Sequence, residues 1–333
     1  MKKDINIQII RIVAMFFILF CHFFNETGNK LAVLGQFFNV GVFIFFIISA
    51  YLYGKKNITN SLKWIKRRVV QICVPVYVWL IFVNVIYLIT RTDVKYINNL
   101  FYVLNIQAFV NHSLQGLEHL WFISIILIIY LITVILNKLK NVKISLNNVY
   151  MILLFQIVSY VFVSLYNENI GRYYLYINLY IDFYWMSSRN IEIHNKYLII
   201  GSFVFAIMSR IGLRQIFDNT IIYSNFVVLP TQTIIAICIF SYLKGLNLNI
   251  KRVELINWLD GLTYYIYIVH YIFCVGPLKI IQEFSVMYPI QIVCVCLLSV
   301  AFGTILKNIT EKISNYIKNV LDKEEPTNKN AYK

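Results

Sequence analysis

Charge is what this sequence has least of. Only 14% of its 333 residues are Asp, Glu, Lys or Arg, where soluble domains carry roughly 25%. So little charge cannot coat a water-soluble surface of this size, which argues against a pair of soluble domains. Acids are scarcer than bases, 15 against 30, for a net charge of +15. In a soluble protein that excess would suggest nucleic acid. Here the cations sit between apolar runs, so no nucleic-acid partner is expected. The six cysteines, Cys21, Cys73, Cys238, Cys274, Cys294 and Cys296, form no C-x-x-C pair. No His/Cys spacing suits zinc, and no metal is expected. They read as reduced packing residues. There is no internal repeat, and no polar stretch is long enough for a separate soluble domain.

What is present is a series of long apolar runs. A spanning helix needs about 20 mostly apolar residues. Eight runs are clear, at 7–25, 36–53, 72–90, 117–137, 147–166, 221–243, 261–278 and 287–306. Two are weaker: 172–187 is rich in tyrosine, and 197–209 is short. Together they give ten. If the weak two form a re-entrant pair, the count is eight with both ends oriented as before. The expected fold is all-α, a polytopic transmembrane helical bundle of about ten spans over residues 1–310. Residues 311–333 form a polar tail, expected to be disordered at its end. Lys2 and Lys3 precede the first run as in a signal peptide. That run is longer than a typical h-region and no small-residue cleavage site follows, so it reads as a retained span.

Cations crowd alternate loops. One set of segments holds Lys55, Lys56, Lys63, Lys66, Arg67 and Arg68, then Lys138, Lys140 and Lys143, then Arg189 and Lys196, then Lys244, Lys251 and Arg252. Lys2, Lys3 and the tail lysines, Lys329 and Lys333 among them, fall on the same side. The opposite segments hold Lys30, Arg91, Lys95, Arg172, Arg210, Arg214 and Lys279. Basic loops stay on the cytoplasmic face, so both termini are expected to be cytoplasmic, in the plasma membrane.

An Arg, Lys or Asp at the centre of a span costs about 2.5–3.5 kcal/mol on insertion scales, so each asks for a reason. Within the expected spans stand Arg11, His22, Asp182 and His270, with Glu118 and His119 at the start of the fourth. Arg11 and His22 are eleven residues apart, which on a helix is a net rotation of about 20° and a rise of roughly 16 Å. They therefore share a stripe, with Ala14, Ile18 and Asn25 close to it. Arg11 lies near the cytoplasmic end and His22 deeper. Asp182 shares a face with Asn178 and Trp185. Tyr173, Tyr176, Tyr180 and Tyr184 form a separate stripe, readable as a packing face or as the lining of a wet, sugar-binding cavity.

Several blocks carry a resemblance. Arg11-Ile-Val-Ala14, with His22 following, is similar to the first-helix signature of the acyltransferase-3 family, membrane acyltransferases that modify bacterial surface sugars. Gly41 to Leu52 resembles the second-helix block, with Ala50 where Gly is usual. Lys66-Arg67-Arg68 followed by Pro75-Val-Tyr77 resembles the basic loop that ends in a proline. His119-Leu-Trp121-Phe-Ile123 resembles the fourth-span block, and Tyr264 to His270 the late Tyr-x-x-Tyr-x-x-His region. The blocks occur in family order over roughly residues 1–275. Two places depart from the pattern: Gln71 stands where a second cation is common, and Ser124 to Leu131 contains no acid.

The resemblance implies transfer of an acyl group, expected to be acetyl, from acyl-CoA to a hydroxyl of a cell-surface or capsular polysaccharide. Such chemistry needs a base for the hydroxyl and a stabiliser of the oxyanion. His22 is the candidate base and Arg11 its catalytic companion. Lys66, Arg67 and Arg68 are candidates for the donor's phosphates, since guanidinium groups grip phosphate through paired hydrogen bonds. Trp121, His119, Asp182, Tyr267 and His270 are candidates for the acceptor side. The expected partners are the lipid bilayer, the glycan and acyl-CoA, the last as donor substrate. A transporter or flippase-like glycan exporter is the rival class, but no inverted repeat or paired broken helices support it. A sensor that kept the fold without the chemistry is a third, supported by the missing acid after Trp121.

Overall fold

The computed structural model describes residues 4–110, 112–143, 145–217, 221–248, 250, 253–283 and 285–323. Lys2, Lys3, Lys251, Arg252, Lys329, Lys333 and the end of the tail, 324–333, lie outside the described residues. In chain order the helices are α1 (Ile5–Asn25), α2 (Ala32–Phe38), α3 (Gly41–Gly54), α4 (Ser61–Thr90), α5 (Asn99–Val103), α6 (Trp121–Leu139), α7 (Leu146–Tyr166), α8 (Glu168–Ser188), α9 (Lys196–Phe217), α10 (Ile221–Tyr223), α11 (Leu229–Lys244), α12 (Val253–Asp260), α13 (Thr263–Val269), α14 (Tyr271–Cys274) and α15 (Tyr288–Lys323). No strand occurs among the described residues. The fold is therefore all-α, as expected.

Polar side chains set the helix starts. Asp4 accepts from the amides of Asn6 and Ile7 at the head of α1, Asn60 from that of Lys63 at α4, and Ser145 from that of Asn148 at α7. Each satisfies an amide that has no partner inside its helix. Asn167, in extended conformation, ends α7 and caps α8 by itself. Pro75 is accommodated inside α4, and a π-helical turn, Ser224–Val228, leads into α11 ahead of Pro230.

By length and composition, eight segments can cross a membrane: 5–25, 32–54, 61–90, 118–139, 146–166, 196–217, 221–244 and 288–321. Four expectations need correcting in detail. The run at 197–209 is the core of α9, which has 22 residues. The run at 172–187 lies in α8, with 21 residues, long enough to cross at about 1.5 Å per residue but more polar than the others. Both runs thus lie within helices of full spanning length, and only α9 is also apolar enough to be a crossing segment. The run at 261–278 is not one helix, being broken at His270 into α13 and α14. Finally, Lys63, Lys66, Arg67 and Arg68 are helical, on the first turns of α4 rather than in a loop. Residues 311–323 of the tail continue α15 without a break.

The chain forms two compact units. In the first, 1–58 with 131–263, α3 is the central element. It is apolar on every side and buried for most of its length, which fits a helix packed all round. Glycines at its ends permit the closest approaches. A Cβ on Gly41 would lie 2.5 Å from the carbonyl oxygen of Ala14 in α1, and one on Gly54 2.6 Å from that of Tyr184 in α8. Both obstacles are backbone and cannot yield cheaply. Gly41→Val is expected to cost about 1–3 kcal/mol or more through overpacking, read as a lower thermal midpoint of the purified protein. The tyrosine stripe of α8 packs here: Tyr176 lies on Phe43 and Phe46, and Tyr180 shares a 2.6 Å hydrogen bond with Thr133 of α6. Tyr176, Tyr180 and Tyr184 are buried, so the packing reading holds and the wet cavity is withdrawn. α7 and α9 turn long apolar faces outward, as lipid-facing helices do.

A polar latch closes one end of this unit. Glu192, after α8, accepts 3.0 Å hydrogen bonds from Lys55 and from the Tyr51 hydroxyl. Burial alone would raise this carboxyl. The bonds from Lys55 and Tyr51 and the charges of Lys55 and Lys244 outweigh it and hold the group below its ordinary value of 4.5. Burial also opposes the Lys55 charge, but its bonds to Tyr51 and Glu192 raise the ammonium above 10.5. The Glu192 contribution is therefore complete above the ordinary carboxyl value and is lost as pH falls through the lowered one. The Lys55 contribution is lost only as pH rises past its raised value. At this half-exposed site the pair is worth about 1 kcal/mol or less. Glu192→Gln should thus be slightly less stable than the native chain near neutrality and indistinguishable from it in acid, as thermal unfolding at the two pH values will show.

In the second unit, 59–130 with 264–333, α4 and α15 run antiparallel. Trp79 and Phe82 meet Phe302, while Arg67 and Arg68 share a groove with Lys318. The loop before α6 is tied down by its own polar bonds. The Tyr87 hydroxyl donates to the Gln115 carbonyl at 2.5 Å, and the Leu114 amide donates to the Tyr102 hydroxyl at 3.1 Å. Gly116, at φ +85°, sits where a Cβ would lie 2.8 Å from Gly276 Cα.

Candidate active site

In the first unit the site is built on α1. Arg11 and His22 lie on this one continuous helix, both half-buried. Ala14 and Ile18, from the same stripe, are buried where Gly41 lets α3 approach. The middle of the stripe is therefore turned into protein, while Asn25 at its end is exposed. The structure supplies a partner that sequence reasoning missed. Arg11 Nη1 donates to Asp260 Oδ1. Gln8, one turn earlier on α1, donates to Asp260 Oδ2 at 3.2 Å and to Asn257 Oδ1 at 2.7 Å. Asp260 ends α12 with its side chain 4% exposed, against 26% for Arg11. The carboxylate is thus a buried anchor, and the guanidinium, which has five N–H donors in a fixed fork, is held by one arm. A signal was available. With only 15 acids in the chain and a cation inside the first apolar run, an acid beside another apolar run was a natural class of counter-charge, though no spacing singles out Asp260.

Asp182 is placed elsewhere. Gln156 of α7 donates to its carboxylate at 3.1 Å, a polar contact between two neighbouring helices. It is not brought to Arg11, whose carboxylate partner is Asp260.

In the second unit, His119, Tyr267 and His270 come together. The Tyr267 hydroxyl donates to the His119 carbonyl at 2.5 Å. The Tyr267 carbonyl in turn receives His119 Nε2 at 2.9 Å and His270 Nδ1 at 2.7 Å. A carbonyl oxygen only accepts, so both ring nitrogens carry protons. In the neutral rings, His119 Nδ1 and His270 Nε2 are then the basic atoms. The two rings lie 5.0 Å apart at 75°, with the Tyr271 ring 4.8 Å from His119 and tilted by 31°. All three residues are buried. Half-buried Trp121 follows at the head of α6. Glu118 accepts from the Gly116 amide at 2.8 Å, an anchor for the loop that carries His119.

The same unit holds the cationic candidates. Arg68 lies over the Trp64 ring, 5.7 Å from its centre, and donates to Gln71 Oε1 at 2.9 Å. Arg67, Arg68 and Gln71 line one wall of a groove of about 530 Å³, with Asn315, Lys318 and Asn319 of α15 on the other. Lys66 is exposed on the same turns of α4 but does not line the groove. Among the described residues no group of His, Cys, Asp and Glu could hold a metal ion.

A family model described as an acyltransferase domain matches residues 4–307. The chain belongs to the acyltransferase-3 family. No curated protein and no solved structure matches it. The match takes in Arg11, His22, the start of α4, His119, Asp260 and His270, and ends before the last turns of α15. Membership and the apolar helices together make this a membrane acyltransferase.

Proposed function

We propose that this acyltransferase moves an acyl group, acetyl in the leading reading, from acyl-CoA to a hydroxyl of a cell-surface or capsular polysaccharide. The work is done in the plasma membrane with both termini cytoplasmic. The observation that carries the reading is the α1 constellation, in which a fixed Arg11 and His22 share one inward face, in a chain that the family model covers from residue 4.

His22 takes the proton of the acceptor hydroxyl as its oxygen attacks the thioester carbonyl. The developing oxyanion needs a positive donor, and Arg11, aimed by Asp260 and Gln8, is of the right charge and geometry. As the C–S bond breaks, the imidazolium returns its proton to the departing thiolate, giving an ester and free thiol with the histidine neutral again. An acyl-histidine intermediate is the alternative route through the same residue. Arg67 and Arg68 are assigned to the donor's phosphates, with Lys66 beside them. On the acceptor side, Trp121 is assigned direct contact. His119, Tyr267 and His270, already bonded to one another, hold the start of α6 in place. Asp182 has its own partner in Gln156 and is left outside the proton path.

The test is to supply isotopically labelled acetyl-CoA to membranes containing the protein and to weigh the surface glycan of cells with and without it. Label in the glycan, and loss of the acetyl increment in the deletion strain, are expected. Unlabelled glycan of unchanged mass would sink the reading and bring back the transport alternative.

A further inference from the structure

The groove between α4 and α15 has a property that the family match does not cover. α15 has 36 residues, about 54 Å at 1.5 Å per residue, where a bilayer core of about 30 Å needs some 20. Its apolar part ends near Leu306, and the last turns, past the matched range, carry polar residues. There Lys318 faces the groove with Asn315 and Asn319, opposite Arg67 and Arg68. Both arginines lie close enough to Lys318 to repel it. Glu311 offsets part of that repulsion and also lies 3.9 Å from Lys307. Three cations from two helices thus converge in one cleft, with amide side chains between them. Arg68 is also braced by Trp64, itself packed against Tyr130. Convergent cations interleaved with neutral hydrogen-bonding groups match an anion with several oxygens and more than one charge.

We infer that the polar end of α15 completes a binding site for a phosphate polyanion, with Lys318, Asn315 and Asn319 forming the wall opposite Arg67 and Arg68. Assigning those phosphates to the acyl donor rests on the function proposed above. An anionic lipid headgroup offers the same chemistry.

The test uses the full-length protein in nanodiscs of zwitterionic lipid, with adenosine bisphosphate, the charged end of coenzyme A, as the probe. Lys318→Gln should weaken its binding about tenfold, as losing one charge-assisted contact does. Lys318→Arg should restore binding, rising salt should weaken it in the native protein, and Lys312→Gln, exposed on the same helix, should leave it unchanged. In transfer assays Lys318→Gln should raise KM for the donor and spare kcat. Equal affinity and equal KM in the native chain and Lys318→Gln would overturn the site while leaving the transferase intact. Lys318-dependent nucleotide binding without any transfer from acetyl-CoA would uphold the site and refute the proposed function. If vesicles containing phosphatidylglycerol, but not the nucleotide, bind in a Lys318-dependent way, the site stands with lipid as its source.

Discussion

His22→Ala is expected to lower acyl transfer by about 10²–10⁴-fold, the range in which a positioned acid–base residue contributes, while the folded protein accumulates normally. The fold should survive because α1 owes its packing to other residues. Ala14, Ile18 and Cys21 are buried on its inner face, and alanine is the best helix former to put in the vacated place. Half-burial also means that no large cavity is left behind. Adding imidazole to the variant should return part of the activity if the lost group is a proton acceptor. His22→Gln, which can hydrogen-bond but not titrate, should remain inactive. A burst of labelled protein in the native enzyme would favour the acyl-histidine route over direct attack. Full activity in His22→Ala would remove this residue from the mechanism and turn attention to His119 and His270, whose rings have defined tautomers in the second unit.

The fold was largely legible because hydropathy is a local property. Each apolar run reports on itself, and most of the clear spans appear as helices, though α4 starts well before its run and α15 ends well after its own. The shifts have local causes. Asn60 caps α4 well before the apolar residues begin, so the basic cluster is helical. α13 ends just before His270, whose ring turns to the Tyr267 carbonyl. The run at 197–209 reads as short because the apolar residues give way to Arg210 and Arg214. Yet the helix continues through both, with Arg210 donating to the Gln36 carbonyl. The site was legible in part. The stripe of Arg11 and His22 follows from helical geometry within one span. Asp260 does not, because it lies 249 residues from Arg11 and no spacing rule connects them. The same holds for Lys318, which reads as one more tail lysine until α15 is seen beside α4. What a sequence hides here is which side chains from distant helices share a place, and the few charges of a membrane protein are those for which that matters most.

Asp260→Ala is expected to be among the most damaging single changes that leave the proposed base untouched. Removing one partner of a buried ion pair costs about 3–5 kcal/mol, because the other charge stays behind without its partner. With Arg11 partly exposed, the lower end of that range applies to stability. The effect on transfer should be separable. If Asp260 works by holding Arg11, then Arg11→Ala, Asp260→Ala and the double variant should lose similar amounts of kcat, since residues acting as one unit are not additive. Stability should show the opposite ordering: the double variant, with no orphaned charge, should be more stable than Asp260→Ala alone. Asp260→Asn keeps the shape and hydrogen-bonding capacity while removing the charge. It should retain the Gln8 contact and most of the stability yet transfer poorly, which a purely structural Asp260 would not predict. The pairing also explains how a cation is tolerated inside the first span at all. Asp260, itself held by Gln8, offsets the cost of burying the guanidinium, so the helix can carry a charge on its packed face. Arg11→Ala inactive beside a fully active Asp260→Ala would break this link and leave Arg11 acting without its anchor.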